Sequence, residues 1–189
     1  MAREQPDPAA FRQLRIAVLT VSDRRSRADD VSGDTLQDRL EAAGHLLVDR
    51  ELVPDDVYRV RAVVSDWIAR PDVEVVLISG GTGVTGRDVT PEAVGPLLDK
   101  DIPGFGELFR AVSAEELGTA AYLSRAVAGT ANGTLLFGLP GSPGACRTAW
   151  DRILSAQLDA RTSPCNFVVL MPRLTESVSL GVDPGRRTS

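Results

Sequence analysis

Four short segments rich in glycine, proline and charged residues each follow an apolar run of the sequence. In chain order they are Ser22-Asp23-Arg24-Arg25, Pro54-Asp55-Asp56, Gly80-Gly81-Thr82-Gly83 and Pro140-Gly141-Ser142-Pro143. Glycines let a backbone approach a ligand and aim successive N–H groups at an anion. Carboxylates supply the oxygen ligands with which proteins hold Mg²⁺ against phosphate groups. These residue types therefore suit the binding of a phosphorylated ligand.

Asp88 lies just beyond the glycines, in the run Gly86-Arg87-Asp88-Val89-Thr90-Pro91. Its carboxylate could hold a Mg²⁺ ion that bridges phosphate oxygens, and Arg87 could pair with phosphate charge. The competing interpretation makes Asp88 a residue that orders its loop near a helix cap at Thr90. Asp55 has a similar pair of interpretations, as a helix cap or as a second carboxylate of the site. The residues alone leave both alternatives open.

Two further features concern predicted helices. Ser142 precedes Pro143, a pair that is typical of a helix start, and the same helix end would attract an anion. Glu107 and Arg110 are three residues apart on another predicted helix. At this spacing we expect an exposed ion pair between them.

The glycine segment also matches a dinucleotide fingerprint, because Gly81, Gly83 and Gly86 have the required spacing. A nicotinamide oxidoreductase is nevertheless disfavoured, since the fingerprint needs a helix that opens inside the motif and here the next helix is expected only near Pro91. The phosphate-loop pattern fails as well, because no Gly-Lys-Ser/Thr follows. The spacing by itself still allows a glycine turn that binds no ligand.

Strands and helices are predicted to alternate along the chain. Apolar runs predict strands at residues 14–21, 46–53, 73–79 and 134–139, and a late strand at 167–171. Helices are expected from a Ser32 cap to Gly44, from an Asp55 or Asp56 cap to Pro71, from Thr90 through Leu98, around 105–112, and from Ser142 to about Ala160.

This alternation indicates an α/β fold, a three-layer αβα sandwich with a mainly parallel sheet. We expect one domain over residues 14–171, with terminal extensions at 1–13 and 172–189, the second of them polar and mobile. In such sheets ligands bind at the carboxyl ends of the strands. The four polar segments would then meet in one crevice.

Composition excludes several function classes. The 189 residues include 21 basic and 26 acidic side chains, a net charge of −5, with no dense basic stripe. Nucleic acid and anionic membranes are therefore not expected partners. No apolar run approaches the roughly 20 residues of a membrane span, and the polar N-terminus does not read as a signal peptide. We expect a cytoplasmic protein.

Histidine and cysteine chemistry is also disfavoured. His45, the single histidine, lies in a turn of small residues, where a structural role is expected. Cys146 and Cys165 are too far apart for a metal knuckle or a redox pair.

Five ordered motifs make the chain resemble a known family. They are TVSDRR, GGTGVTGRDVTPEA, PGFGELFR, LSRAVAG and LPGSPGA. Together they resemble the MoaB/MogA family of molybdenum-cofactor biosynthesis proteins, which also occurs as the G domain of gephyrin-type proteins. The similarity covers residues 14–171, and the segment ACRTAWDRILSAQLDARTSPCNF is similar to the MoaB branch.

The resemblance implies a molybdopterin adenylyltransferase, which transfers AMP from Mg-ATP to molybdopterin and releases pyrophosphate. It implies Asp88 and Asp55 as the catalytic, Mg²⁺-linked carboxylates. It assigns binding of nucleotide and pterin phosphates to residues on the family motifs: Ser22, Asp23, Gly80, Gly81, Thr82, Gly83, Arg87, Glu107, Arg110, Pro140, Gly141 and Ser142. A homotrimer or homohexamer is implied as well. The alternative is a molybdopterin-binding scaffold protein of the same pathway with little or no adenylylation.

Overall fold

The computed structural model describes residues 10–176. Within them a mixed sheet has the strand order β2-β1-β3-β6-β5-β4. The strands are β1 (Arg15–Val21), β2 (Leu46–Val53), β3 (Val75–Ser79), β4 (Lys100–Asp101), β5 (Val127–Ala131) and β6 (Thr134–Leu139). Strands β2, β1, β3 and β6 are parallel, whereas β5 runs antiparallel to both β6 and β4. The expected mainly parallel α/β sheet is confirmed.

Helices connect most of the strands. They are α1 (Val31–Ala42), α2 (Val57–Ala69), α3 (Thr90–Val94), α4 (Pro103–Leu117), α5 (Pro143–Ala149), α6 (Ser155–Gln157) and α7 (Phe167–Leu170). A π-helical turn, Trp150–Leu154, joins α5 to α6, so the long helix expected from Ser142 continues to Gln157. A 3₁₀ segment, Gly118–Leu123, follows α4 and leads towards β5.

Two apolar clusters cover the two faces of the sheet, which confirms the three-layer arrangement. One cluster packs α1, α4, α5 and the π turn against the sheet, and it includes Leu36, Phe109 and Trp150 from these elements and Val18 from β1. The other packs α2 and α3 against the opposite face. Because residues alternate between these clusters along each central strand, β1, β3 and β6 are apolar almost throughout.

The register brings the carboxyl ends of the parallel strands to one edge. Thr20 of β1 pairs with Ser79 of β3, and Ser79 pairs with Leu139 of β6. The backbone N–H of Ser22 donates to the carbonyl of Val53 at the end of β2 (2.9 Å). The four polar segments therefore leave the sheet side by side.

Several local expectations are wrong. Residues 167–171 form helix α7 and a following 3₁₀ turn, because Asn166 accepts a hydrogen bond from the N–H of Val169 and so caps a helix. Helix α1 is capped by the carboxylate of Asp30, which accepts from the Gly33 N–H, and Ser32 lies inside the helix. Thr90 is the first residue of α3, and no side chain caps that helix.

The starts and ends of the other helices are also determined by local contacts. Asp56 caps α2, accepting from the N–H groups of Tyr58 and Arg59. Helix α3 ends at Val94 and a 3₁₀ turn, Gly95–Leu97, completes the segment that was expected to be helical through Leu98. Neither β4 nor β5 was expected from the sequence.

The expected terminal extensions lie partly outside the described residues, since positions 1–9 and 177–189 are not described. Between residues 10 and 176, none of the helices combines the length and the apolarity that a membrane crossing requires.

Candidate functional site

A cleft of about 690 Å³ opens at the carboxyl edge of the sheet. It lies between the loops that follow β1, β2, β3 and β6 on one side and α4 with its 3₁₀ extension on the other. The lining includes most of the residues that the sequence singled out: Ser22, Asp55, Gly80, Gly81, Thr82, Gly83, Asp88, Pro140, Gly141 and Ser142. The expected crevice therefore exists, and these residues share it.

Asp55 is left free to face the cleft because its neighbour Asp56 caps α2. The Asp55 carboxylate accepts a hydrogen bond from the N–H of Asp23 (3.0 Å), and the Asp23 carboxylate accepts one from the N–H of Asp55 (3.1 Å). Partial burial raises the pKa of Asp55 above its ordinary value, and the negative charges of Asp23 and Asp88 act in the same direction. A cation at this position would relieve that repulsion.

Asp88 is held by donors of its own loop. One carboxylate oxygen accepts from the Thr85 N–H (2.8 Å) and from the Thr85 hydroxyl (2.7 Å). Partial burial by itself would raise the pKa of Asp88, but the hydrogen bonds from Thr85 and the Gly83 N–H outweigh it and hold the pKa below 3.8. Asp88 is therefore ionised at neutral pH, and it both lines the cleft and orders its loop.

Two glycines have specific structural reasons to be glycine. Gly81 has a φ of +63°, a left-handed conformation that most side chains avoid. A Cβ at Gly83 would lie 2.7–2.9 Å from the Asp88 carboxyl group, so the close approach of loop and carboxylate requires the missing side chain. The hydroxyl of Thr90 donates to the Gly80 carbonyl (2.7 Å), so Thr90 anchors the glycine loop instead of capping α3.

The loop after β6 is held from α1 and from the loop after β1. The Gly141 carbonyl accepts from the Ser32 hydroxyl (2.7 Å) and from the Arg25 guanidinium (2.8 Å). Ser142 caps α5 as expected, since its hydroxyl accepts from the N–H of Ala145 (3.1 Å). A Cβ at Gly141 would lie 3.0 Å from the Cα of Gly80, so the loops after β3 and β6 contact each other.

The opposite side of the cleft is largely apolar, and sequence reasoning missed it. It is formed by the last turns of α4 and the 3₁₀ segment, with Phe109, Ser113, Glu116, Leu117, Ala120, Ala121, Leu123 and Ser124 in the lining. Leu117 and Leu123 are 61% and 47% exposed. Arg24 and Arg25, which belong to the first polar segment but were given no role of their own, also line the cleft, as does Thr148.

Four expected site residues lie outside the lining. Asp23 and Arg87 form an ion pair with each other beside Asp55, so Arg87 is engaged with a carboxylate. Glu107 is exposed on α4, and Arg110 donates to the Ser124 carbonyl (3.2 Å). Among the described residues Glu107 and Arg110 form no ion pair, so that expectation is wrong because Arg110 turns towards the 3₁₀ segment.

His45 is a core residue. It is 5% exposed, its Nδ1 accepts from the N–H of Leu14 (3.2 Å), and its ring packs between Phe11 and Trp150. Burial lowers its pKa, which keeps the ring neutral. It lies away from the cleft, as does the exposed Cys165, whereas Cys146 is fully buried with a pKa raised by desolvation to about 12.

The donor set fits Mg²⁺ better than a metal held by protein ligands alone. Asp55 and Asp88 offer two carboxylates at one cleft, and residues 10–176 contain no cluster of three or more His, Cys, Asp or Glu side chains suited to a metal. Mg²⁺ is commonly bound by one or two carboxylates together with substrate phosphates and water. Phosphates could also be bound by the glycine N–H groups and by Arg24.

Comparison with known protein families and with individual proteins points to one family. Residues 17–160 match the family described as "Probable molybdopterin binding domain". The chain is 57% identical over 157 residues to "Molybdenum cofactor biosynthesis protein B" of Escherichia coli K12, which covers 83% of this chain and 92% of that protein.

Solved structures agree with the sequence comparison. A crystal structure of a molybdenum cofactor biosynthesis protein B superposes with a TM-score of 0.77 at 44% identity, covering 79% of this chain and 94% of that one. The tungsten cofactor synthesizing protein MoaB of Pyrococcus furiosus superposes with a TM-score of 0.70 at 39% identity, covering 77% and 93%.

Proposed function

The chain belongs to the molybdopterin-binding family of the MoaB/MogA proteins, and we propose that it transfers AMP from Mg-ATP to molybdopterin and releases pyrophosphate. The family is the one that the sequence motifs indicate. The transfer itself is our inference from the cleft. A binding role in the same pathway is the second candidate.

The observation that carries the proposal is the meeting of two carboxylates and a glycine loop in one cleft. Asp55 and Asp88 line it together with Gly80–Gly83 and the capping Ser142. ATP and the terminal phosphate of molybdopterin are both strongly anionic, so a site that joins them needs N–H donors and a cation. The apolar side of the cleft suits a flat ring such as adenine or the pterin.

The reaction needs positioning more than a covalent nucleophile. An oxygen of the molybdopterin phosphate attacks the α-phosphorus of ATP, and a new P–O bond forms. The bond from that phosphorus to the oxygen bridging the β-phosphate breaks, and its electron pair leaves with pyrophosphate. A phosphate monoester is already anionic at neutral pH, so the attacking oxygen needs no general base. The position of His45 in the core is compatible with this.

The groups around the loops at this end of the sheet have separate roles in the proposed reaction. Bound Mg²⁺ supplies charge neutralisation for the phosphates. The carboxylates of Asp55 and Asp88 hold and orient that charge, while the glycine N–H groups and Ser142 bind phosphate oxygens. Arg25 and Ser32 donate to the Gly141 carbonyl, and so hold the loop after β6 against the loop after β1 and against α1.

A binding protein without turnover is favoured by one observation. The Asp88 carboxylate already accepts two hydrogen bonds from Thr85, which is the arrangement of a loop-ordering residue. If that is its whole task, the cleft binds molybdopterin without transferring AMP. The two candidates differ in what Asp88 does.

Replacing Asp88 by Asn separates them, because the amide keeps the size of the side chain and removes its charge. We expect Asp88→Asn to lower the rate of AMP transfer by about 100-fold or more while the Kd for molybdopterin changes little. Pyrophosphate release and calorimetric titration measure the two quantities. Asp66→Asn is the matched control, because the Asp66 carboxylate is exposed on α2 and lies outside the cleft. Equal transfer by Asp88→Asn and the wild type would refute the role of Asp88.

Three further assignments belong to the proposal. The pathway is that of the molybdenum cofactor, which is supported by the 57% identity to the Escherichia coli molybdenum cofactor biosynthesis protein B. The assembly is a homotrimer or homohexamer, which light scattering after size exclusion would distinguish from a monomer. The location is cytoplasmic, where ATP is abundant.

A further inference from the structure

The segment that carries the glycines and Asp88 has little regular structure of its own. Ten residues separate the end of β3 at Ser79 from the start of α3 at Thr90. Inside it, the Asp88 N–H donates to the Thr85 carbonyl (3.0 Å), and the Thr90 N–H closes it by donating to the Gly81 carbonyl (2.9 Å). Most carbonyl groups of the segment therefore need hydrogen-bond donors from outside it.

Arg125 satisfies three of them. It lies between the 3₁₀ segment and β5. Its backbone N–H donates to the Thr82 carbonyl (2.8 Å), its Nε donates to the Gly83 carbonyl (2.6 Å), and its Nη2 donates to the Asp88 carbonyl (2.8 Å). One side chain therefore bridges the beginning and the end of the turn that contains Thr85.

The same guanidinium pairs with Glu92 at the start of α3, where Nη2 lies 3.2 Å from Oε2. The Glu92 side chain is 53% exposed. An ion pair so exposed contributes little by itself. The three carbonyl contacts are the more specific part of the arrangement, because they fix backbone positions.

Closing this turn determines where the Asp88 carboxylate points. The donors that hold the carboxylate, Thr85 and Gly83, lie within the span that Arg125 bridges. Arg125 itself is not part of the cleft lining. We propose that Arg125 is a positioning residue, which holds residues 82–92 so that the Asp88 carboxylate keeps one geometry towards metal-bound phosphate. This inference rests on the proposed function.

The chemistry of the contact requires arginine. A guanidinium is planar and presents N–H groups in a fixed fork, so it can donate to two carbonyls and a carboxylate at once. The ammonium of lysine has the same charge but only one nitrogen, and it cannot span the Gly83 and Asp88 carbonyls together. A lysine at this position would keep the charge and lose the bridge.

The test uses Arg125→Lys, Arg125→Gln and Glu92→Gln in the full-length protein. We expect both Arg125 variants to raise the Mg²⁺ concentration for half-maximal AMP transfer by about 10-fold and to lower kcat by about 10- to 100-fold. Glu92→Gln, which keeps the three carbonyl contacts, should cause a smaller change. Arg152→Gln removes an exposed pair with Glu115 outside the cleft and is the matched control.

Two readouts do not depend on turnover. Hydrogen exchange should accelerate over residues 82–90 in the Arg125 variants, with β1 and β3 unchanged. Calorimetric titration with ATP should show the same increase in Mg²⁺ requirement. If the wild type binds ATP with Mg²⁺ but transfers no AMP, the proposed function fails, and this titration still decides the role of Arg125.

The proposal is overturned if the Arg125 variants keep the wild-type Mg²⁺ dependence, whatever their melting temperature. It is also overturned if exchange accelerates over 82–90 while kcat and Mg²⁺ requirement stay unchanged. Wild-type protein that binds no ATP at any Mg²⁺ concentration would overturn both this proposal and the transferase assignment.

Discussion

The two sides of the cleft are built on different principles. The loop side, which carries Asp55, Asp88 and the glycines, is held by hydrogen bonds from backbone and side chains, including those from Thr85 and Arg125. The helix side, formed by the end of α4 and the 3₁₀ segment, presents partly exposed apolar groups such as Leu117. The loop side holds its polar groups in fixed positions, whereas the helix side provides an apolar surface that a ligand can cover.

Because the two sides differ in this way, substitutions on the loop side and on the helix side should affect catalysis and binding separately. Phosphoryl chemistry depends on charges placed to within a fraction of an ångström, so small displacements on the loop side should change kcat. An apolar surface contributes to binding in proportion to its area, so changes on the helix side should change Kd or KM. Gly83→Ala and Leu123→Ala test this separation, and Asp55→Asn tests the charge repulsion on the loop side.

Of these three substitutions, Gly83→Ala on the loop side is expected to have the largest effect. The added Cβ would lie 2.7–2.9 Å from the Asp88 carboxyl group, closer than van der Waals contact allows, so the carboxylate must shift. We expect kcat for AMP transfer to fall by about 10- to 100-fold with little change in molybdopterin affinity. Steady-state kinetics and calorimetric titration measure the two effects.

Gly86→Ala is its control within the same segment, because a Cβ there meets no atom within 4 Å. It should behave as the wild type. If both alanine variants lose activity equally, crowding of Asp88 is not the cause.

A smaller effect is expected from Leu123→Ala on the helix side. The side chain is 47% exposed and lines the cleft, so a bound ring would cover it. Losing this apolar contact should weaken molybdopterin or ATP binding by about 3- to 10-fold and leave kcat nearly unchanged. Leu108→Ala on α4, which is 48% exposed but outside the cleft, is the matched control. If kcat of Leu123→Ala fell as far as that of Gly83→Ala, the proposed difference between the two sides of the cleft would be wrong.

The smallest effect is a gain in stability from Asp55→Asn. Burial and the charges of Asp23 and Asp88 raise the pKa of Asp55, so its ionised form is less favourable in the folded protein than in the unfolded chain. This cost is present above the raised pKa and disappears as the pH falls towards 3.8. With a chelator present, we expect the variant to melt about 1 °C higher than the wild type at pH 7.

Scanning calorimetry at pH 7 and near pH 4 checks this, and the difference should shrink as the pH falls towards 3.8. Asp66→Asn should show no gain at either pH. A loss of stability in Asp55→Asn would mean that Asp55 is a favourable structural carboxylate, contrary to its placement beside two other acids.

The central strands and the loop side could be predicted from the sequence for clear physical reasons. β1, β3 and β6 are buried on both faces and so are recognisable as apolar runs. Asp55, Asp88 and Gly80–Gly83 stand out because few residue types bind phosphate or metal. Their position after successive parallel strands placed them at one edge.

The edge strands could not be predicted in the same way. β4 is two exposed residues, Lys100–Asp101, and β5 is the small-residue run Val127–Ala131, so neither has the pattern of a buried strand. Residues 167–171 are an apolar run too short to show a period, and only the capping contact of Asn166 makes them helical.

The helix side of the cleft depends on tertiary placement. Leu117 and Leu123 are ordinary apolar residues in the sequence, and they become cleft residues because α4 ends and the chain turns at Gly118 with a φ of +56°. Arg125 lies in the motif LSRAVAG, but its role could not be predicted, since a single arginine next to a short strand does not indicate three carbonyl contacts.

The most direct test of the transferase is pyrophosphate release from Mg-ATP by the wild-type protein, with and without molybdopterin. We expect release only when molybdopterin is present, and none after divalent cations are chelated. Molybdopterin that binds the protein but elicits no pyrophosphate would contradict it, and would make the cleft a binding site without turnover.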